Sequence, residues 1–320
     1  LNICGFERYN PVPKEGKEVK IVDFTEFVGQ IADLLRERND KLDISIQTVR
    51  KNNSVQYTGL SIRAAGANVT PIIYLEPFFQ RYEEYHDMEE VIDRIMKIYQ
   101  QNEFHFDADS IMDFNNVKDR IIYIVVNRHK NKEMLNEVPN RVLVEDIAVV
   151  YKIMLDDAKD GSTASIQIKN SMMDIWSVDE ETLWTCAQEN NKRLKKPECR
   201  SMYEVLLELM IQRHGIVNDE LIDGIRTAEP RMYILRDESG QYGASVIADM
   251  EFMYRVYDDI GEFYILPSSL HEVIAIPVRD EYEVAEMTSM VAEVNRTQLT
   301  EEEILADMVY KFDGKSIKVA

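Results

Sequence analysis

Cysteine, glycine, proline and tryptophan are all scarce in this sequence: 3 Cys, 12 Gly, 9 Pro and 2 Trp among 320 residues. So little Gly and Pro excludes the collagen-like and low-complexity classes. The cysteines, Cys4, Cys186 and Cys199, are odd in number and lack a C-x-x-C spacing. That excludes a disulfide framework and a zinc site written in the sequence, and it points to a reducing compartment. Long apolar runs are missing as well. The longest, Ile121–Val126, is far short of a membrane span, and no early stretch joins basic residues to an apolar run of signal-peptide length. A cytoplasmic protein is expected, in which the N-X-S/T matches at Asn52, Asn68 and Asn295 carry no weight. Positive charge is also in deficit. Lys and Arg total 37 against 58 Asp and Glu, a formal net charge of −21, which argues against affinity for nucleic-acid backbones or anionic membranes.

What is present is globular: 45% hydrophobic and 30% charged residues, in a chain long enough for one large domain or two ordinary ones. Residues 1–21 carry Pro11, Pro13 and Gly16 among scattered lysines and are expected to be a poorly ordered extension. From Asp23, Phe24, Phe27, Ile31 and Leu35 recur at helical spacing. Alternating runs at 42–46 and 55–62, split by "RKNNS", predict a hairpin, and 71–75 predicts a further strand. A helix is expected over 88–99, strands over 121–126 and 147–155, and a hairpin return at 164–168. Ser177 with Glu180, Ser201 with Glu204 and Thr300 with Glu303 match the capping box.

Later, 232–235 and 245–248 read as a hairpin around "DESGQ", and 263–266 and 273–276 as another. Each is followed by a helical stripe. Asp313-Gly314 predicts a type I′ turn. The pattern gives an α+β fold with antiparallel sheets built from repeated hairpin-then-helix units, the helices packed on the sheets. An N-terminal lobe over 23–200 and a C-terminal lobe over 225–320 are expected, joined by a connecting helix and junction over 201–224, where the patterning weakens.

The stretch "LPSSLHEVIAIPV" at 266–278 gathers the candidate chemistry: Ser268, Ser269, His271 and Glu272. A zincin needs a second His four residues on, and position 275 is Ala. If 269–273 is extended, Ser269 and His271 share one face and Glu272 points to the other, so no local triad forms. The expectation is a corner between buried strands whose polar atoms satisfy main-chain groups. The alternative is a hydrolase with His271 as base and Ser268 or Ser269 as nucleophile, completed by an acid from elsewhere in the fold.

In "HFDAD", His105, Asp107 and Asp109 would share one face of an extended segment and offer three ligands to a divalent metal. An EF-hand is excluded, because Ile111 and Met112 stand where an oxygen ligand and Gly belong. Gly314-Lys-Ser316 is not a P-loop, since position 309 is Val. The stretch at 74–87 is read as a loop in which Tyr74, Glu76, Phe78, Phe79, Tyr82 and Tyr85 either contact a partner or anchor the loop on the core. No cofactor is implied by any motif.

Six blocks, "ISIQTVRKNNSVQYTGLSI", "IYLEPFF", "NKEMLNEVPNR", "ECRSMYEVL", "FYILPSSLHEVIAIP" and "EVNRTQLTEEEILADMVY", together resemble an uncharacterised family, a domain of unknown function common in gut-dwelling Gram-positive bacteria. The resemblance spans about residues 23–314 and brings no activity, substrate or site with it. The C-terminal half is also similar to a second uncharacterised bacterial family, with a strand, a proline, a histidine-acid pair and a buried strand in that order, which adds weight to His271 and Glu272. The expected function is a non-catalytic protein that binds a protein partner or small ligand, with no nucleic-acid or membrane partner. A further alternative, an acidic decoy for a nucleic-acid-binding protein, predicts a contiguous carboxylate stripe.

Overall fold

A computed structural model describes residues 22–64, 72–101, 108–155, 165–214 and 231–320. The fold is α+β, with antiparallel sheets and helices packed on them. The chain divides into two compact units, the first of residues 1–51, 55–113 and 156–164 and the second of 52–54, 114–155 and 165–320.

In the first unit, α1 (Phe24–Arg38) starts where Asp23 accepts a hydrogen bond from the Glu26 N–H at 2.8 Å. β1 (Leu42–Arg50) and β2 (Gln56–Ala64) pair from Leu42↔Ala64 to Arg50↔Gln56, and β3 (Ile72–Tyr74) adds to β2. Phe27, Ile31 and Leu35 of α1 pack with Leu60 and Ile62 of β2 and with Val91, Ile92 and Ile95 of α3 (Met88–Gln101). The stretch read as a loop at 74–87 is instead largely helical, forming α2 (Glu76–Tyr85). Pro77 sits in its first turn, where a missing N–H breaks no helical bond, so it starts the helix.

The second unit holds a four-stranded sheet. β6 (Ile147–Met154) pairs with β4 (Ile121–Asn127) and also with β5 (Asn140–Val144) and β7 (Ser165–Gln167). Side-chain alternation gives β6 two faces. Ala148 and Val150 join Ile122, Ile124 and Val126 of β4 in one apolar cluster, with Met134 and Leu135 of α5 (Lys132–Glu137) and Leu194 and Tyr242 against it. Toward the other side, Tyr123 packs on Trp184 of α7 (Glu180–Leu194), ring centroids 5.2 Å apart, and the Tyr151 hydroxyl donates to Glu180.

The unit's second sheet has six antiparallel strands. With β8 (Pro197–Ser201), β9 (Tyr233–Asp237), β10 (Phe263–Leu266), β11 (Val273–Pro277), β12 (Tyr310–Phe312) and β13 (Ile317–Val319), the order is β13-β12-β10-β11-β9-β8. Both strands that meet at the 267–272 corner are therefore interior. The short helices α4 (Phe114–Val117) and α6 (Asn170–Trp176) and the longer α8 (Met202–His214) precede α9 (Met250–Ile260) and α10 (Val284–Thr297) in the chain. Tyr254 and Tyr257 of α9 pack on Phe312, which meets Phe263, whereas Met287 and Val291 of α10 pack on Leu266 and Ile276, so the sheet is covered on both faces. No described helix is long and apolar enough to cross a membrane.

Three local expectations are corrected. Residues 245–248 are no strand but part of a buried 3-10 run, Gly243–Ala248, because a short apolar run does not by itself distinguish strand from helix. Ser177 closes α6 in the left-handed region at φ 56°, and Asp179 caps α7 instead by accepting from the Thr182 N–H. Gly314 takes φ 78° while Asp313 keeps an ordinary φ, so the β12–β13 connection is not type I′; the Asp313 carboxylate accepts from the N–H groups of Lys315 and Ser316. Within the second unit, β8 and β9 pair from Pro197↔Asp237 to Ser201↔Tyr233.

Candidate functional site

The 267–272 corner is held by main-chain bonds from two sides. Residues 301–306 run beside it. Leu270 N–H donates to the Glu303 carbonyl (2.9 Å), Leu305 N–H to that of Ser268 (2.9 Å) and Ala306 N–H to that of Pro267 (3.0 Å), with a β-bridge between Ser269 and Ile304. Opposite them, Ala244 N–H donates to the Leu270 carbonyl at 3.1 Å. Ser269 is buried, and its Oγ accepts from the main-chain N–H of His271 at 3.0 Å. Ser268 is half-buried and bonds through its carbonyl. Glu272 lies 3.8 Å from Arg236, which bonds Glu198 across β8 and β9.

The imidazole of His271 has different neighbours. Its Nε2 is 3.8 Å from Glu303 Oε1, and its Nδ1 accepts from the Tyr242 N–H at 3.5 Å. The other Glu303 oxygen accepts from the N–H and hydroxyl of Thr300, completing the capping box that the sequence predicts there. Burial works against the Glu303 charge, but the Thr300 donors and the nearby His271 outweigh it and hold this carboxyl below its ordinary pKa.

Tyr242 joins this corner to the four-stranded sheet. It sits in the left-handed region at φ 58°, a backbone state costly for an aromatic residue. Its ring centroid is 6.2 Å from that of His271, and Lys152 Nζ lies 4.7 Å from it. Burial pushes the Tyr242 hydroxyl up, with Glu302 adding to the effect and Lys195 opposing it. Lys152 lies opposite Ile122 on β6, on the face that carries Ala148 and Val150. Among the described residues its amine has no carboxylate or hydrogen-bond partner. Burial alone brings its pKa down to about 8.

An asparagine ladder fixes the 301–306 segment. Asn53, at φ 57°, donates from its side chain to the carbonyls of Glu301 and Ile304, both at 2.7 Å, while its main-chain N–H donates to Asn131 Oδ1 at 2.9 Å. Asn131 donates back to Asn53 Oδ1 at 3.0 Å, and Asn127 donates to the Leu305 carbonyl at 2.8 Å. Sequence reasoning missed Lys152, Tyr242 and these asparagines. A signal existed for Lys152, as the one cation on an otherwise apolar strand face. None existed for Tyr242, whose importance lies in its backbone angle.

Of the other candidates, His105 and Asp107 lie outside the described residues and Asp109 falls in the 3-10 turn Ala108–Met112. Among the described residues no three His, Cys, Asp or Glu side chains are grouped as a metal needs. The 74–85 aromatics pack within the first unit. Tyr74 meets Tyr57 (5.3 Å), Phe78 is buried, Phe79 meets Phe24 and Phe27 (5.2 Å each), Tyr82 meets Phe27 (5.3 Å), and Tyr85 lies under Arg81. Glu76 accepts from the Thr58 N–H at 2.5 Å. Cys186 and Cys199 are free thiols, raised by burial (Cys199 to about 11), the opposite of a reactive thiolate.

The fold and this cluster define an α+β protein whose ionisable groups meet where two sheets of the second unit are tied together, without any motif of a known reaction. It belongs to the family of unknown function DUF5688, whose model matches residues 24–314. No curated protein and no solved structure matches the chain.

Proposed function

We propose that this protein is a non-catalytic, cytoplasmic binding protein whose ligand is a small molecule seated at Lys152, Tyr242 and His271. The observation that carries the reading is the Lys152 amine, half-buried on an apolar face beside the Tyr242 ring, with no carboxylate or hydrogen-bond partner among the described residues. Buried cations are ordinarily paired, and a ligand bearing an acceptor supplies the missing group. The imidazole nitrogens of His271 face Glu303 and the Tyr242 N–H, which supports a non-catalytic corner, because a serine nucleophile needs its base at the hydroxyl. Free Cys186 and Cys199 accord with a reducing compartment.

The test has two arms. Thermal-shift titration with a panel of small carboxylates and oxo acids is expected to raise Tm with concentration in the wild type and not in Lys152→Met. A fluorophosphonate probe is expected to leave the protein unlabelled. Labelling at Ser268 or Ser269 that disappears in His271→Ala would replace this reading with the hydrolase. A panel without any effect on Tm would remove the binding site from this cluster.

A further inference from the structure

We infer that Lys152 is a covalent capture site, whose amine condenses with the carbonyl carbon of a small aldehyde or oxo acid to hold it as an imine. The inference rests on the binding reading above and names the ligand's chemical class. Three features of the cluster carry it. Among the described residues the amine has no carboxylate or hydrogen-bond partner, only the Tyr242 ring, so no ion pair has to break before it reacts. It projects from the β6 face that carries Ala148 and Val150, opposite Ile122, with Leu194 and Tyr242 against the same cluster, and apolar surroundings disfavour its protonated form. Finally, Tyr242 is held in a strained backbone state by the groups behind it. Its N–H reaches His271 Nδ1, and its carbonyl accepts from the Ser245 N–H at 3.1 Å and hydroxyl at 2.7 Å. Strain of this kind persists only where the surroundings over-determine it, and here it keeps a ring beside the amine.

The chemistry balances without an oxidant or reductant. The Lys152 nitrogen lone pair attacks the carbonyl carbon, forming the C–N bond as the C=O π pair moves to oxygen. The carbinolamine then loses that oxygen as water, taking both amine protons, and leaves C=N. The charged and titratable groups about the cluster are Tyr242, His271, Glu302, Glu303 and Lys195, and none of them is an ion-pair partner of the amine. The lowered pKa of about 8 supports the inference by providing free amine near neutral pH.

The experiment is reductive trapping of the full chain with glyoxylate and cyanoborohydride at about pH 7.5, read by peptide mapping of every lysine. An amine of pKa near 8 exposes roughly a hundredfold more free base at this pH than an ordinary lysine near 10.4, so trapping at Lys152 is expected to be at least about tenfold faster than at any other lysine. Its rate should level off above about pH 8, whereas those of surface lysines keep rising. Trapping at Lys152 no faster than the median lysine overturns the inference, and since this comparison is made within the wild type it does not depend on a variant folding. Thermal shift with glyoxylate, without reductant, separates the two claims: stabilisation lost in Lys152→Met but with no selective trapping leaves non-covalent binding and removes the imine.

Discussion

Asn191 and Tyr123 exchange two hydrogen bonds: the Asn191 side chain accepts from the Tyr123 N–H and donates to the Tyr123 carbonyl, both at 3.0 Å. β4, seven residues long and buried throughout, lies at the end of its sheet, and bare strand edges template pairing with other chains. The amide stands in for a neighbouring strand there, with help from Asn190 at the Ile121 carbonyl and Ser245 Oγ at the Val125 N–H. Asn191→Leu leaves a buried donor and a buried acceptor unmatched at about 1–3 kcal/mol each. A loss of about 3 kcal/mol in urea unfolding is expected, with increased aggregation. An unmoved midpoint would mean that water replaces the amide.

Lys195 and Asp237 form a buried pair at 3.1 Å, their side chains 9% and 1% exposed. Lys195 also donates to the Gln241 carbonyl at 2.8 Å, next to Tyr242. Lys195→Met strands the Asp237 charge, and breaking such a pair from one side costs about 3–5 kcal/mol. Equilibrium denaturation should show that loss, and adding Asp237→Leu should restore part of it.

Gly243 has no room for a methyl group. A Cβ there would lie 2.4 Å from the His271 carbonyl oxygen and 3.0 Å from both Arg236 Cβ and Asp237 N. Gly243→Ala is expected to destabilise by about 2 kcal/mol and to shift the His271 ring resonances. Gly29→Ala, inside α1 with nothing within 4 Å of the added carbon, should be neutral or stabilising by about 0.5–1 kcal/mol. Equal effects at the two sites would contradict the packing.

Asp146 and Glu303 make opposite contributions to stability against pH. Burial raises the Asp146 carboxyl, assisted by Asp307 and Glu145 and opposed by its own N–H and His129. A folded-state pKa above the unfolded value of about 3.9 makes stability fall as pH rises from there through the folded value. Asp146→Asn should therefore stabilise at neutral pH, by an amount that vanishes in acid. Glu303 is depressed, so its contribution is present above about pH 4.3 and is lost as pH falls through the folded value. Glu303→Gln should weaken the fold at neutral pH and converge with wild type in acid. Stability curves over about pH 3–7 check both signs.

Most helices and strand pairs were legible in the sequence, because apolar period and buried face coincide, as in Phe27, Ile31 and Leu35 of α1 or the alternation in β1. The failures share a cause. Where a segment is buried on every side, as at Gly243–Ala248, no period separates a coil of helix from a strand. At the candidate site, His271 was found because it lies beside Ser268, Ser269 and Glu272 in one contiguous stretch. Tyr242 and Glu303 reach His271, and Lys152 reaches Tyr242, only through tertiary packing, and the left-handed angle of Tyr242 has no signature in residue type.

The pairing of β8 with β9 has a practical outcome for protein engineering. Because Cys199↔Leu235 and their neighbours zip together from either side of residues 202–232, a polypeptide severed within that span would yield two pieces with matching sheet edges. Co-expressed halves split there should reconstitute, and could serve as reporters of proximity between two fused partners.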